Sequence, residues 1–419
     1  MNQAVRRRAP SFSFARLLAA SLCPAVVACL SAPSADSGAV PPKGCGIASP
    51  PPTAPNGYYT SGGTVCTATA AAHVFHGVDR PSLEWSPVGQ NLGAGDYALM
   101  AGWGANVVRI ALNQDFWLSG AALYDPGYAS VVAQQVQWAE AVGLDVILDL
   151  HWSDQGDLTV ADTSRQGAGY SNQQPMADVN SREFWKEVAT TFKGDGHVLF
   201  ELYNEPHNIS TDVWLNGGST NGFTAVGMQD LYNAIRGAGA NNVVIAGGTN
   251  WAYDLSGVGP GGVSIQGYNV MYATHPYLLS GDAPNGWESA FGHLETQDFA
   301  PVVATEFGDG TTPGCSGTYD SDVIDFAAQH HMSFTAWAWF VDNDPVTDPQ
   351  GCHFPSLILD WGATPTVQGA AVKDALAAFP PPVAPPAPAL ATTDAGDEGS
   401  SVDVDASDAG ADEGDAPAE

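Results

Sequence analysis

Between residues 57 and 379 the chain alternates short, almost wholly apolar runs with longer amphipathic stretches. The runs fall at Val74–Val78, Ala105–Leu112, Leu144–Leu150, Val198–Tyr203, Asn242–Ala246, Val270–Thr274, Pro301–Thr305 and Ser333–Trp339. Each is too short for a helix and reads as a buried strand. Between them lie helical patterns. Gly95–Gly104 offers Tyr97, Leu99, Met100 and Trp103 as an apolar side, and Ala129–Val142 offers Val132, Val136 and Trp138 or Ala139 before Gly143 closes it. Ser181 has the chemistry of an N-cap for a helix over Arg182–Phe192. Further helices are predicted at Phe223–Ala238, Trp287–Leu294, Tyr319–His330 and Val367–Phe379. Eight strands mostly followed by helices, within one domain's length, predict an α/β fold of the (β/α)8 TIM-barrel type. The link after the fifth strand lacks a clear helical pattern. An open doubly wound sheet is the competing architecture, but no Gly-rich dinucleotide turn follows the first strand.

Both ends of the chain differ from this pattern. Residues 1–28 carry Arg6, Arg7, Arg8 and Arg16 without an acid and run on through apolar residues, the layout of a secretion signal. The apolar segment is short and broken by Ser21, Cys23 and Pro24, which argues against a membrane span. Val26-Val27-Ala28-Cys29 has the look of a lipoprotein processing site that would leave Cys29 lipidated; ordinary cleavage near Ala32 or Ala35 is the alternative. Residues 29–56, rich in proline, serine and glycine, read as a tether, so the catalytic domain is expected over 57–379. From 380 the chain is proline-rich and then acidic and small, the composition of a disordered tail.

Cysteine usage and charge narrow the chemistry. An exported chain can oxidise Cys45, Cys66, Cys315 and Cys352, and sequence alone permits three pairings. Local loop closure favours Cys45–Cys66 and Cys315–Cys352, the second tying loops close to Glu306. No Cys-x₂-Cys pair exists, so zinc is a poor alternative. With 13 Lys and Arg against 45 Asp and Glu, the net charge is -32. Nucleic acid would be repelled by that field, whereas a neutral polysaccharide is not penalised.

Two strand ends carry the candidate chemistry. In Gly196–Ser210, GHVLFELYNEPHNIS, the apolar run stops at Asn204-Glu205-Pro206, where proline ends strand pairing. A carboxyl held at such a mouth sits in a partly dry place that raises its pKa. The run PVVATEFGD ends likewise at Glu306. Two strand-end glutamates suit a retaining glycosidase, one as acid/base and one as nucleophile. Glu201 points away from them by alternation and is expected to be structural, paired with a cation. The remaining polar residues at strand ends are Arg109, His151, Asn204, His275 and Tyr277. His207 is a weaker candidate. Metal binding by the histidines has little support, since no His-Glu-x-x-His is present. The DNDPVTD segment at 342–348 does not fit a calcium loop and reads as a solvated edge.

At LYNEP, ATEFG, VVRI, LDLHW, THPY and WAWF the chain resembles glycoside hydrolase family 5, over roughly residues 73 to 379. The resemblance implies Glu205 as acid/base and Glu306 as nucleophile, with carboxyl groups roughly 5 to 5.5 Å apart. It implies that Arg109 holds the nucleophile region and that Asn204 donates to the sugar 2-hydroxyl. His151, His275 and Tyr277 would surround the sugar at the scissile bond, with the Tyr277 hydroxyl aimed at Glu306 or the ring oxygen. Trp339 is expected as the aromatic floor. Trp337 shares its parity, so one of the two would pack inside the barrel mouth. Trp117, Trp152 and Trp251 are candidates for further subsites.

The function implied is a secreted, monomeric, retaining endo-β-1,4-glucanase without cofactor or metal, acting on a β-glycan. The same chemistry on mannan, xylan or another β-glycoside is the alternative, because loops set the substrate. A non-catalytic carbohydrate-binding barrel is a third reading. It would be expected to have lost one carboxylate, and both are present.

Overall fold

The apolar runs pair side by side in chain order and close on themselves. In a computed structural model the barrel runs β4 (His76–Arg80), β5 (Val107–Asn113), β6 (Asp145–Trp152), β7 (Val198–Glu201), β10 (Val244–Gly247), β11 (Val270–Thr274), β12 (Val302–Ala304) and β13 (Ser333–Ala336), with β13 hydrogen-bonded back to β4. All eight pairings are parallel. Before the barrel, β1 (Tyr58–Ser61), β2 (Thr64–Thr67) and β3 (Ala72–His73) form a small antiparallel sheet, and β8 (Gly218–Thr220) pairs β9 (Phe223–Ala225) as a hairpin after β7. The structure describes residues 44–46, 57–161, 173–278, 281–309, 316–341, 355–380 and 382. The expected signal peptide with Cys29, most of the tether, the acidic tail, the 342–348 segment and the Cys315–Cys352 pair lie outside the described residues.

Alternation along the strands explains why this barrel has a greasy floor and a charged mouth. Val107, Ile147, Leu199, Ile245, Ala273 and Val303 form an apolar layer inside it, closed from below by Val65 and Tyr58 of the small sheet. Two residues onward the same inward direction carries Arg109, Asp149 and Glu201, all buried. The other parity, such as Val108, Ile110, Leu148 and Phe200, packs outward in the main core against Tyr97, Val132 and Trp185 of the surrounding helices. Truncating one inward side chain, for example Ile147→Ala, is expected to cost about 2–5 kcal/mol. Gly77 in β4 lies so close to Val107 of the next strand that a Cβ there would overlap its carbonyl.

Several local expectations need correction. The Arg182–Phe192 helix starts one residue earlier, at Ser181, with Asn180 in the N-cap position. The Ser181 hydroxyl donates instead to Gln114 Oε1 at 2.7 Å. Helix is absent from the start of the predicted 223–238 element: Phe223 and Ala225 bury one face of β9 while Thr224 is exposed on the other, and the helix runs over Met228–Gly237. The predicted Trp287–Leu294 helix is a composite of Pro284–Trp287, a π turn at Glu288–Gly292 and His293–Thr296. Between β10 and β11 no helix forms among the described residues, as its pattern suggested. Cys45 is joined to Cys66, which fastens the chain before β1 to β2.

Candidate active site

A single cation organises the mouth of the barrel. Arg109, fully buried on β5, donates from Nε to Glu201 Oε2 at 2.5 Å and from Nη1 to Asp79 Oδ1 at 3.1 Å and Glu306 Oε1 at 2.7 Å. Its Nη2 reaches Asn204 Oδ1 at 2.6 Å and Asp149 Oδ2 at 3.0 Å. Burial alone would favour loss of its proton, but four surrounding carboxylates outweigh that and raise its pKa further. Glu201 is thus cation-paired, as expected, but it points into the barrel mouth and shares Arg109 with Glu306, against the expectation that alternation turns it away.

The two histidines are held as neutral rings of opposite tautomer. His151 Nδ1 donates to Asp149 Oδ2 at 2.7 Å, leaving Nε2 to accept from the Asn204 amide at 3.3 Å. Thr305 gives its hydroxyl proton to Glu201 Oε1 at 2.7 Å, so it must accept from His275 Nε2 at 2.9 Å. That leaves the lone pair of His275 Nδ1 facing Glu205 Oε1 at 3.1 Å. Burial pushes both imidazoles down to about 4.

The two glutamates meet different surroundings. Glu306 has the Arg109 guanidinium on one oxygen and the Tyr277 hydroxyl at 2.9 Å on the other. Burial, then the Glu306 charge, holds the Tyr277 phenol protonated, so it acts as a donor. Glu205 touches no cation directly. Burial raises its carboxyl pKa, with His151 and Gln173 pulling the other way, and its side chain stays 14% accessible. One oxygen of each glutamate and a ring nitrogen of His275 lie within 4.8 Å of one another. These are the donor atoms that converge enough for a metal among the described residues, but Arg109 and Tyr277 already occupy the Glu306 oxygens. A carboxyl with a raised pKa facing one that is hydrogen-bonded by a guanidinium and a phenol can protonate a leaving oxygen while its partner attacks carbon.

Above them opens a cavity of about 530 Å³, lined by His151, Asn204, Glu205, His275, Tyr277 and Glu306, with Gln173, Asn250, Trp251, Asp282, Trp337 and Pro355. Trp339 is not part of it. The strand ends at Ala336, so alternation no longer relates the two tryptophans. Trp339 turns into the core, edge-on to Trp103 at 4.7 Å, with its N–H toward Asp96 at 3.3 Å. Trp337 takes the cavity wall instead, stacked on His151 at 5.6 Å and 17°. Trp251 is at the rim, 45% exposed and stacked on His207 at 4.7 Å and 6°. The structure does not bring Trp117 to the cavity: its ring is buried and its N–H donates to Glu187 at 3.0 Å on the outside of the barrel. Trp152 is half-buried beside Trp85, 6.5 Å between rings, outside the cavity lining. Gln173, Asn250 and Asp282 were missed because they come from long loops, where no strand period marks them.

Residues 73–343 match the cellulase family, glycosyl hydrolase family 5. The chain belongs to that family. It is 27% identical over 304 residues to Cellulase CelDZ1 of Thermoanaerobacterium sp., covering 69% of this chain and 70% of that protein. It is 26% identical over 315 residues to Endoglucanase C of Evansella cellulosilytica, covering 69% of this chain and 36% of the relative. The chain likewise spans 43% of Endoglucanase A from the same organism, so it matches under half the length of both Evansella relatives. Among solved structures, a beta-glucanase of Saccharophagus degradans in complex with cellotetraose superposes with TM-score 0.57 at 21% identity, over 81% of this chain and 98% of that one. An endocellulase of Pyrococcus horikoshii gives TM-score 0.58 at 17% identity, over 77% and 100%. Those structural likenesses speak for the barrel. The family match covers β4 to β13 and the residues at their ends.

Proposed function

We propose that this family 5 enzyme is an endo-β-1,4-glucanase that works with retention, with Glu205 as acid/base and Glu306 as nucleophile. The observation that carries the division of labour is the asymmetry of the pair. Arg109 and Tyr277 stabilise a negative charge on Glu306, whereas Glu205 is raised by burial and faces a lone pair on His275. Glu205 would protonate the glycosidic oxygen as Glu306 attacks the anomeric carbon. Glu205, now ionised, would then take a proton from the water that releases the sugar. Asn204, whose second amide hydrogen is not used by His151, suits the 2-hydroxyl. Trp337 suits the apolar face of the sugar ring. The endoglucanase reading is supported by the names its relatives carry; a mannan or xylan preference is the alternative for the same site.

Turnover of glucan, mannan and xylan panels tests the substrate, and the anomer first released, read by NMR, tests the stereochemistry. Retained product from β-1,4-glucans, lost in both E205Q and E306Q, is expected. Inverted product, or preference for mannan with negligible release from glucans, would overturn the corresponding part. The basic-apolar start supports export, with Cys29 lipidation decided by mass analysis of the native N-terminus. Among the described residues no helix is long and apolar enough to cross a membrane.

A further inference from the structure

Gln173 lies 32 residues before Glu205, yet its side-chain amide donates to Glu205 Oε2. The contact is built from both sides. Two residues before the glutamate, the Tyr203 hydroxyl accepts from the backbone N–H of Gln174 at 3.2 Å and donates to the Gln174 carbonyl at 2.8 Å. Two residues after it, the backbone N–H of His207 donates to the Pro175 carbonyl at 3.0 Å. Gln155 Nε2 holds the Gln174 side chain at 2.8 Å. Residues 173–175 are therefore strapped along 203–207, with Gln173 opposite Glu205 at the centre.

We propose that Gln173 is a positioning residue for the acid/base: by donating to Oε2 it fixes the carboxyl rotamer and leaves Oε1, beside His275, as the oxygen that carries the proton. An amide N–H can only donate, so Oε2 must remain an acceptor in both protonation states. The histidine nitrogen on the other side can only accept while the imidazole is neutral. One oxygen is thereby dedicated to each neighbour. The bond also favours the ionised form that the second step needs, against the burial that favours the acid. The other groups around this carboxyl are His151, His207, His275, Tyr277, Arg109, Asp149 and Glu306. None of them comes from the 173–175 segment.

The inference rests on Glu205 being the acid/base, and the test separates the two. The pH profile of kcat/KM on a cello-oligosaccharide is measured for wild type, E205A, Q173L, Q173A and Q173E. Loss of the donor in Q173L and Q173A should move the alkaline limb upward by about one pH unit. The added like charge in Q173E should move it further. On a dinitrophenyl glycoside, whose departure needs no proton, glycosylation by Q173L should match wild type. If E205A keeps the alkaline limb, the acid/base assignment itself fails. If E205A loses the limb but Q173L and Q173A leave it in place, only the positioning role of Gln173 is overturned. A uniform fall in kcat/KM on both substrates without a shifted limb would also overturn it, since that is what general disruption of the loop produces.

Discussion

The hydroxyl of Thr305 stands 2.7 Å from Glu201 Oε1, and that one bond sets the tautomer of His275. With the hydroxyl proton committed to a carboxylate, the histidine must donate from Nε2 and present a bare Nδ1 to Glu205. Thr305→Val removes the donor and the acceptor together. General acid–base help is worth roughly 10²–10⁴ in rate, so loss of this orientation should lower kcat/KM on cello-oligosaccharides by about 10-fold or more. Thr305→Ser should restore most of it. Equal activity for the valine and serine variants would refute the relay.

Arg109→Lys tests how far one guanidinium neutralises the barrel mouth. A lysine keeps the charge but lacks the planar fork that meets Glu201, Asp79, Glu306, Asp149 and Asn204 at once. Buried carboxylates left without a partner are expected to cost about 3–5 kcal/mol, read from urea unfolding. Activity should fall with it, because Glu306 loses the guanidinium that holds one of its oxygens in place.

Glu84 gives a pH signature from a buried carboxyl that takes no part in the proposed mechanism. It is fully buried, with one oxygen accepting from Ser82 N–H at 2.7 Å, and burial pushes its pKa up to about 8. A carboxyl raised in the folded state binds its proton more tightly there than in the unfolded chain. Its contribution is therefore complete below the unfolded value of about 4.3 and is lost as pH rises through about 8. Glu84→Gln cannot ionise, so its urea midpoint should fall less steeply than wild type between those limits. Parallel slopes for the two proteins would show that Glu84 does not titrate in this window.

Trp337 and Trp339 should separate function from stability. Trp337→Ala removes a ring that lines the cavity and should weaken kcat/KM with little change in unfolding midpoint. Trp339→Ala opens a hole beside Trp103 and is expected to cost about 3–5 kcal/mol. Thermal unfolding and steady-state kinetics on both variants check the split. A large stability loss confined to Trp337→Ala would reverse the assignment of wall and core.

The barrel was readable because its strands are buried on both sides, which leaves continuous apolar runs that no loop imitates. Alternation was misapplied to Glu201: the expectation turns it away, whereas it lies two residues beyond inward Leu199 and so shares the inward direction of Arg109. Alternation failed at Trp339, three residues past the end of β13, where nothing fixes the period. The helical reading failed at Phe223, where the buried-exposed-buried run Phe223–Ala225 suits a short hairpin strand. Gln173, Asn250 and Asp282 were out of reach for a different cause. They reach the cavity through loop paths whose course depends on distant anchors, such as Tyr203 for Gln174.

The small sheet beneath the barrel sets which way the enzyme can be handled. Tyr58 binds Asp145 at the start of β6, and Phe379 stacks on His76 at the start of β4, 3.9 Å between rings. Both are at the end of the barrel opposite Glu205 and Glu306. Tyr58 and Phe379 are therefore both anchored on the underside. A bead, a fusion partner or a sensor surface joined directly at either of these two points would leave the cleft facing the bulk solution. Such mounts could be compared directly for access to an insoluble fibre.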